Sequence, residues 1–125
     1  MPKISVSIDV SDMETAIQFY SKALECDIVR NGDEISELSV ENSSIYLLKR
    51  NAGTTPVVNS NVTRNYERHW TPVHLDVVVP DIDKALPLIT KYGGTQEGSE
   101  SGDWGSIVYC ADPFGNGFCL IQYDT

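Results

Sequence analysis

Residues Val73–Gly94, VHLDVVVPDIDKALPLITKYGG, read as strand, cap, helix and stop. Asp81 stands where a helix cap belongs, since its carboxylate can accept from the free amides of a first turn. Gly93-Gly94 supplies the stop, because glycine tolerates the left-handed backbone at a helix end. Pro87 lies inside the helix and is expected to kink or shorten it, as its ring removes one backbone donor. The same order occurs earlier in the chain. In KISVSIDVSD, Lys3–Asp12, the apolar Ile4, Val6, Ile8 and Val10 alternate with polar Ser5, Ser7 and Asp9, which argues for a strand with one buried face. SDMETAIQFYSKALEC follows, with Ser11 or Asp12 as cap and Met13, Ala16, Ile17, Tyr20, Ala23 and Leu24 at helical spacing.

Placing Asp12 over Asp81 puts Val10 on Val79, Ala16 on Ala85 and Ser5 on His74. At the far end IYLLK falls on FCLIQ, so Tyr46 meets Cys119. Between these landmarks, DIVRN, ISELSV and SIYLLKR are strand-like in the first half, broken by Asn31-Gly32-Asp33 and a turn at Glu41-Asn42-Ser43. TQEGS, WGSIVYCA and GFCLIQY follow in the second. Each half is therefore read as β-α-β-β-β, an internal duplication that fixes the architecture. The expected organisation is one domain over 1–125: a module at about 1–50, a linker at about 51–72 and a second module at about 73–125.

The linker, rich in Asn and Thr, has no clear period. Its second half, Arg64-Asn65-Tyr66-Glu67-Arg68-His69-Trp70, gathers cationic and aromatic groups in an otherwise acidic chain. It reads either as a surface crossover anchored by Trp70 or as a flap over a pocket.

Composition bounds the function. The formal net charge of -9 repels a phosphate backbone, which argues against a nucleic-acid partner and is compatible with a cationic ligand. No run approaches the roughly 18 apolar residues of a spanning helix, so no membrane partner is expected. MPKISVSID lacks the apolar core of a signal peptide, and the expected location is cytoplasmic. Cys26, Cys110 and Cys119, odd in number and without CxxC spacing, read as free thiols of a reducing compartment. The sequon Asn61-Val62-Thr63 has no meaning without secretion.

The strand into VSDMETAIQFYSKAL, the second strand into VVPDIDKAL, and DPFGNGFCLIQ near the C-terminus together resemble the vicinal oxygen chelate superfamily. That group contains glyoxalase I, extradiol dioxygenases, and bleomycin and fosfomycin resistance proteins. The resemblance covers both halves. Its most specific piece is the turn Asp112-Pro113-Phe114-Gly115-Asn116, where Pro presets φ and Gly and Asn tolerate left-handed geometry. It implies an α+β fold of tandem βαβββ modules, forming a curled mixed sheet with a U-shaped cleft and helices on the outer face. In that fold Val6, Ile8 and Val10 face the helix, while Ser5, Ser7 and Asp9 face the cleft. His74, Asp76 and Val78 then face inward, and Leu75, Val77 and Val79 outward.

Metal-using members of this superfamily hold a divalent ion with His, Gln or Glu from equivalent strands of the two modules. The matching positions here are Ser5, Tyr46, His74 and Cys119. Only His74 is a usual ligand, and Cys119 stands where DPxGNxxEL places a Glu. Ser and Tyr are poor partners for zinc, so no metal is expected at the usual family site and no cofactor is implied. His69 completes such a site only if the linker folds inward.

The resemblance then points to a small-molecule binder, in the manner of the bleomycin resistance proteins, with a ligand that is cationic or aromatic. Trp104 is the first candidate for a cleft wall, with Tyr46, Trp70 and Tyr109 behind it. Asp9 and Asp76 are candidates for attracting a cation, each also explained as a solvated carboxylate. The alternatives are a lyase, isomerase or dioxygenase with an atypical metal, and a non-catalytic structural or regulatory domain. As an enzyme the chain would rely on His74 as general base, or on a His74–Cys119 imidazole–thiol pair. A homodimer is expected, as for other small members of the group.

Overall fold

The alternating stretch near the N-terminus forms strand β1, Ser5–Val10. Ile8 and Val10 are buried, whereas Ser5 and Ser7 are exposed, so the alternation does divide an apolar from a polar face. Helix α1, Met13–Gln18, starts at Asp12, whose carboxylate accepts from the Thr15 amide and hydroxyl. The structure, a computed structural model, describes residues 2–41 and 43–124.

The first helix departs from the expected uniform α-helix. After Gln18 it widens into a π-helical turn, Phe19–Ala23. The Ser21 hydroxyl donates to the Ile17 carbonyl, a local bond that competes with the backbone ladder at that point. The extra residue in the turn lets Phe19 and Tyr20 both reach the core, where they meet edge-to-face at 5.1 Å between centroids. A left-handed Glu25, φ 57°, then leads into β2, Asp27–Arg30. Strands β3, Ile35–Val40, and β4, Ser43–Lys49, complete a mixed sheet of order β1-β4-β3-β2. Of the expected turn Glu41-Asn42-Ser43, Asn42 lies outside the described residues, and Glu41 has a positive φ of 49°.

The second half repeats this plan. Strand β5, Leu75–Val78, leads to helix α2, Ile82–Lys91, capped by Asp81 through the Asp83 amide. Contrary to the expected shortening, α2 runs four residues past Pro87 to Lys91. Pro87 is exposed, so its ring needs no room in the core, and the Thr90 hydroxyl donates to the Pro87 carbonyl. Gly93, at φ 99°, ends the helix as expected. Strands β6, Thr95–Gly102, β7, Gly105–Ala111, and β8, Gly117–Tyr123, give a sheet of order β5-β8-β7-β6.

Both sheets pair their first strand in parallel with their last, and the registers match across the halves. Ser7 faces Tyr46 in the first, and Asp76 faces Cys119 in the second. The expected α+β class and the two βαβββ orders are therefore present. Among the described residues, no helix is long and apolar enough to cross a membrane.

The chain divides into two compact units, 1–66 and 67–125. The division falls inside the segment read as a linker. Its first part belongs to the first unit, where the Gly53 amide donates to the Arg64 carbonyl, the Arg64 amide to the Thr54 carbonyl, and the Tyr66 hydroxyl to the Arg50 carbonyl. In that unit the core is Ile8, Val10, Ile17, Phe19, Tyr20, Leu38 and Leu47; in the second it is Ile82, Ile89, Val108, Phe118 and Leu120.

Candidate functional site

Among the described residues, the second unit brings together His74, Asp76 and Cys119, a close group of side chains that could hold a metal ion. His74 just precedes β5, Asp76 is on β5, Cys119 is its neighbour on β8, and Tyr109 faces Cys119 from β7. Side chains two apart on a strand share a face, so His74, Asp76, Cys119 and Tyr109 all project from one side of the sheet. The opposite side carries Leu120 and Val108, which are buried, and Gln122, whose amide oxygen accepts from the first amide of α2.

Asp76 is the hub. Its carboxylate lies 3.2 Å from His74 Nε2, and Asp76 stands directly opposite Cys119 on β8. The donor atoms of His74, Asp76 and Cys119 lie within 4.8 Å of one another. Burial, and then the negative Asp76 beside it, push the Cys119 thiol up to about 11. At neutral pH it is a thiol and not a thiolate. The imidazole and carboxylate are well exposed, so their contact contributes at most about 1 kcal/mol to stability.

Trp70 closes one flank of this face. Its ring meets His74 and Tyr109 edge-to-face, each at 5.8 Å between centroids. The reason it can do so is Gly117: a β-carbon there would lie 2.5 Å from the indole and 2.8 Å from the His69 carbonyl. The neighbouring backbone is tied down, with the His69 amide donating to Gly115, the Gly117 amide donating to His69, and the His69 imidazole 2.7 Å from the Asn116 amide oxygen. Asn116 belongs in turn to the DPFGN turn. There the buried Asp112 carboxylate accepts from the amides of Phe114 and Asn116 and from the Asn116 side chain. The turn thus carries Trp70 to its place. Across the sheet the Tyr109 hydroxyl donates to Glu100, and this bond raises the phenol above its usual range.

The remaining sequence candidates lie elsewhere. Trp104 sits at the tip of the β6–β7 hairpin, edge-on to Tyr123 and nearly half exposed. It is five residues along the chain from Tyr109, roughly 16 Å at strand spacing, and does not join the Trp70 group. Ser5, Ser7, Asp9 and Tyr46 belong to the first unit and share one face of its sheet. Asp9 is not an open carboxylate, because the Arg64 guanidinium holds it at 2.8 Å. His69, weighed as a further ligand, instead bonds Asn116. Two hollows of the first unit, of about 600 and 320 Å³, are lined by Asp12, Glu14, Asp33, Glu34 and Lys49 and by Lys49, Arg50 and Arg64. Neither includes a predicted site residue, and both are open and polar. The convergent aromatic and titratable groups of the second unit are the better candidate.

The family-type metal set fails on the chemistry of its donors. Ser5 and Tyr46 offer only neutral hydroxyls, which are poor zinc ligands, so no step can be routed through an ion held by that set.

Residues 5–121 match the family model of the glyoxalase-like domain. A search of the curated proteins finds no significant match. Solved structures share the fold at low identity. A hypothetical protein from S. aureus is 17% identical, with 98% of this chain and 97% of that chain covered and a TM-score of 0.71. The fosfomycin resistance protein FosX from Listeria monocytogenes is 12% identical, with 99% and 94% covered and a TM-score of 0.74. A glyoxalase/bleomycin resistance protein from Albidiferax ferrireducens is 17% identical, with 96% and 97% covered and a TM-score of 0.69.

Proposed function

The chain belongs to the glyoxalase-like domain family, and from that premise we propose that it binds a small molecule against the Trp70–His74–Tyr109 face of its second unit. Trp70 carries the reading: it is held by Gly117 and by the DPFGN turn, with two further rings edge-on to it. Aromatic faces that are fixed in advance bind planar ligands at little conformational cost. Asp76 and Glu100 add negative charge to the same face, which favours a cationic aromatic ligand through charge and cation–π attraction. Binding does not use a metal at Ser5, Tyr46, His74 and Cys119.

Calorimetry with aminoacridine, a planar cation, tests this in the presence of chelator. Saturable binding is expected, weaker for neutral acridine, and reduced at least tenfold by Trp70→Ala. Equal heats from wild type and Trp70→Ala would refute the site.

A second reading has one observation in its favour. His74, Asp76 and Cys119 converge closely enough for an atypical metalloenzyme of the same family, a lyase, isomerase or dioxygenase, with His74 as its catalytic base. Its test is metal-dependent turnover that is lost in His74→Ala.

The working form is proposed to be a cytoplasmic homodimer. The exposed edge strand β2, with Ile28 and Val29 at 48% and 57% exposure, supplies apolar surface for pairing. Light scattering is expected to give about twice the 13.8 kDa chain mass, and a single-chain mass would contradict it.

A further inference from the structure

We propose that His74, Asp76 and Cys119 form a binding site for a thiophilic divalent cation such as zinc, built from the second unit alone. The family-type arrangement draws its ligands from both halves of the duplication, and half of those positions are hydroxyls here. The structure offers a different third donor. Asp76 lies two residues beyond His74 and directly opposite Cys119, so it joins them on one face.

Donor identity and spacing carry the inference. Imidazole, carboxylate and thiolate are each good zinc ligands, with bonds of roughly 2.0–2.3 Å. In a tetrahedral site such bonds set donors roughly 3.3–3.6 Å apart. The His74–Asp76 pair is already at 3.2 Å, and no pair of the three exceeds 4.8 Å. Closing the widest gap asks for about 1 Å of movement, and the exposed imidazole and carboxylate can supply it. Binding the ion releases the Cys119 proton to solvent, while the neutral His74 imidazole ligates through a ring-nitrogen lone pair and keeps its one proton on the other nitrogen. Three protein ligands leave a fourth position open.

The duplication provides an internal control. The counterparts of His74, Asp76 and Cys119 in the first unit are Ser5, Ser7 and Tyr46, at matching registers. That triad sits at the same registers and offers only hydroxyls, with no imidazole, carboxylate or thiol. One ion per chain is therefore expected, not two.

The site is separable from the proposed organic ligand, whose binding is measured in chelator. The test is titration of the chelator-stripped full chain with cobalt(II), a spectroscopic substitute for zinc. A thiolate-to-cobalt charge-transfer band is expected, saturating at one equivalent per chain and bleached by zinc. Cys119→Ser abolishes the band. Asp76→Asn, at an exposed position that leaves folding intact, weakens cobalt affinity at least tenfold. Cys110→Ser, Ser5→Ala and Tyr46→Phe leave both unchanged. Absence of the band, its survival in Cys119→Ser, unchanged affinity in Asp76→Asn, or its loss in Ser5→Ala would each overturn the assignment.

Discussion

Gly117 and Cys119 show how much the candidate site rests on single residues. Gly117 is needed for its missing side chain. Gly117→Ala places a methyl group against the Trp70 ring and the His69 carbonyl, at an overpacking cost of about 1–3 kcal/mol. The variant is expected to fold, to lose most aminoacridine binding in calorimetry, and to shift the indole emission. Unchanged binding would mean that Trp70 is not placed as described. Cys119, with Cys26 and Cys110, has its thiol pushed up to about 11 by burial. Thiols ordinarily ionise near 9, so the folded state holds these protons more tightly than the unfolded state. The stability they contribute is complete below pH 9 and is lost as pH rises through 11. Urea unfolding midpoints are expected to fall across that window, and less steeply in Cys110→Ala. A flat profile would contradict the burial of the thiols.

At the scale of elements, Pro87 is the clearest anomaly. Sequence reasoning takes an internal proline as a break, yet α2 continues to Lys91. The proline is exposed, and the helix is held by Ile82 and Ile89 in the core. Pro87→Ala restores the missing amide donor without removing buried surface, and is expected to stabilise the chain by about 1 kcal/mol or more. Thermal unfolding reads this directly, and a lower melting temperature would refute it. The same element shows what the sequence made legible. Asp12 and Asp81 are both caps, and aligning them matches β1 to β5, which hold equivalent registers against their last strands, Ser7 opposite Tyr46 and Asp76 opposite Cys119. The π-helical turn at Phe19–Ala23 left no such trace, since its apolar spacing is also that of an α-helix. Nor did the full length of β6, whose Gln, Glu, Gly and Ser residues are nearly all exposed and show no alternation.

At the scale of the molecule, the two units have one fold and different chemistry. Their sheets have matching strand order, but the first presents hydroxyls where the second presents imidazole, carboxylate and thiol. The resemblance to the vicinal oxygen chelate superfamily, carried through the repeat, made it possible to name His74, Asp76, Tyr109 and Cys119 from sequence. The place of Asp76 between His74 and Cys119 was not visible there, because it depends on the register of β5 against β8. Trp70 was harder to weigh than Trp104. It lies in an aperiodic segment, and its position is fixed by a glycine 47 residues further on. The most direct measurement uses Trp104→Phe, which leaves Trp70 as the sole tryptophan. Titrated with aminoacridine in the presence of chelator, its fluorescence is expected to quench to saturation at one ligand per chain. If the emission of Trp70 stays unchanged while wild-type protein binds the probe, the ligand does not lie on this face.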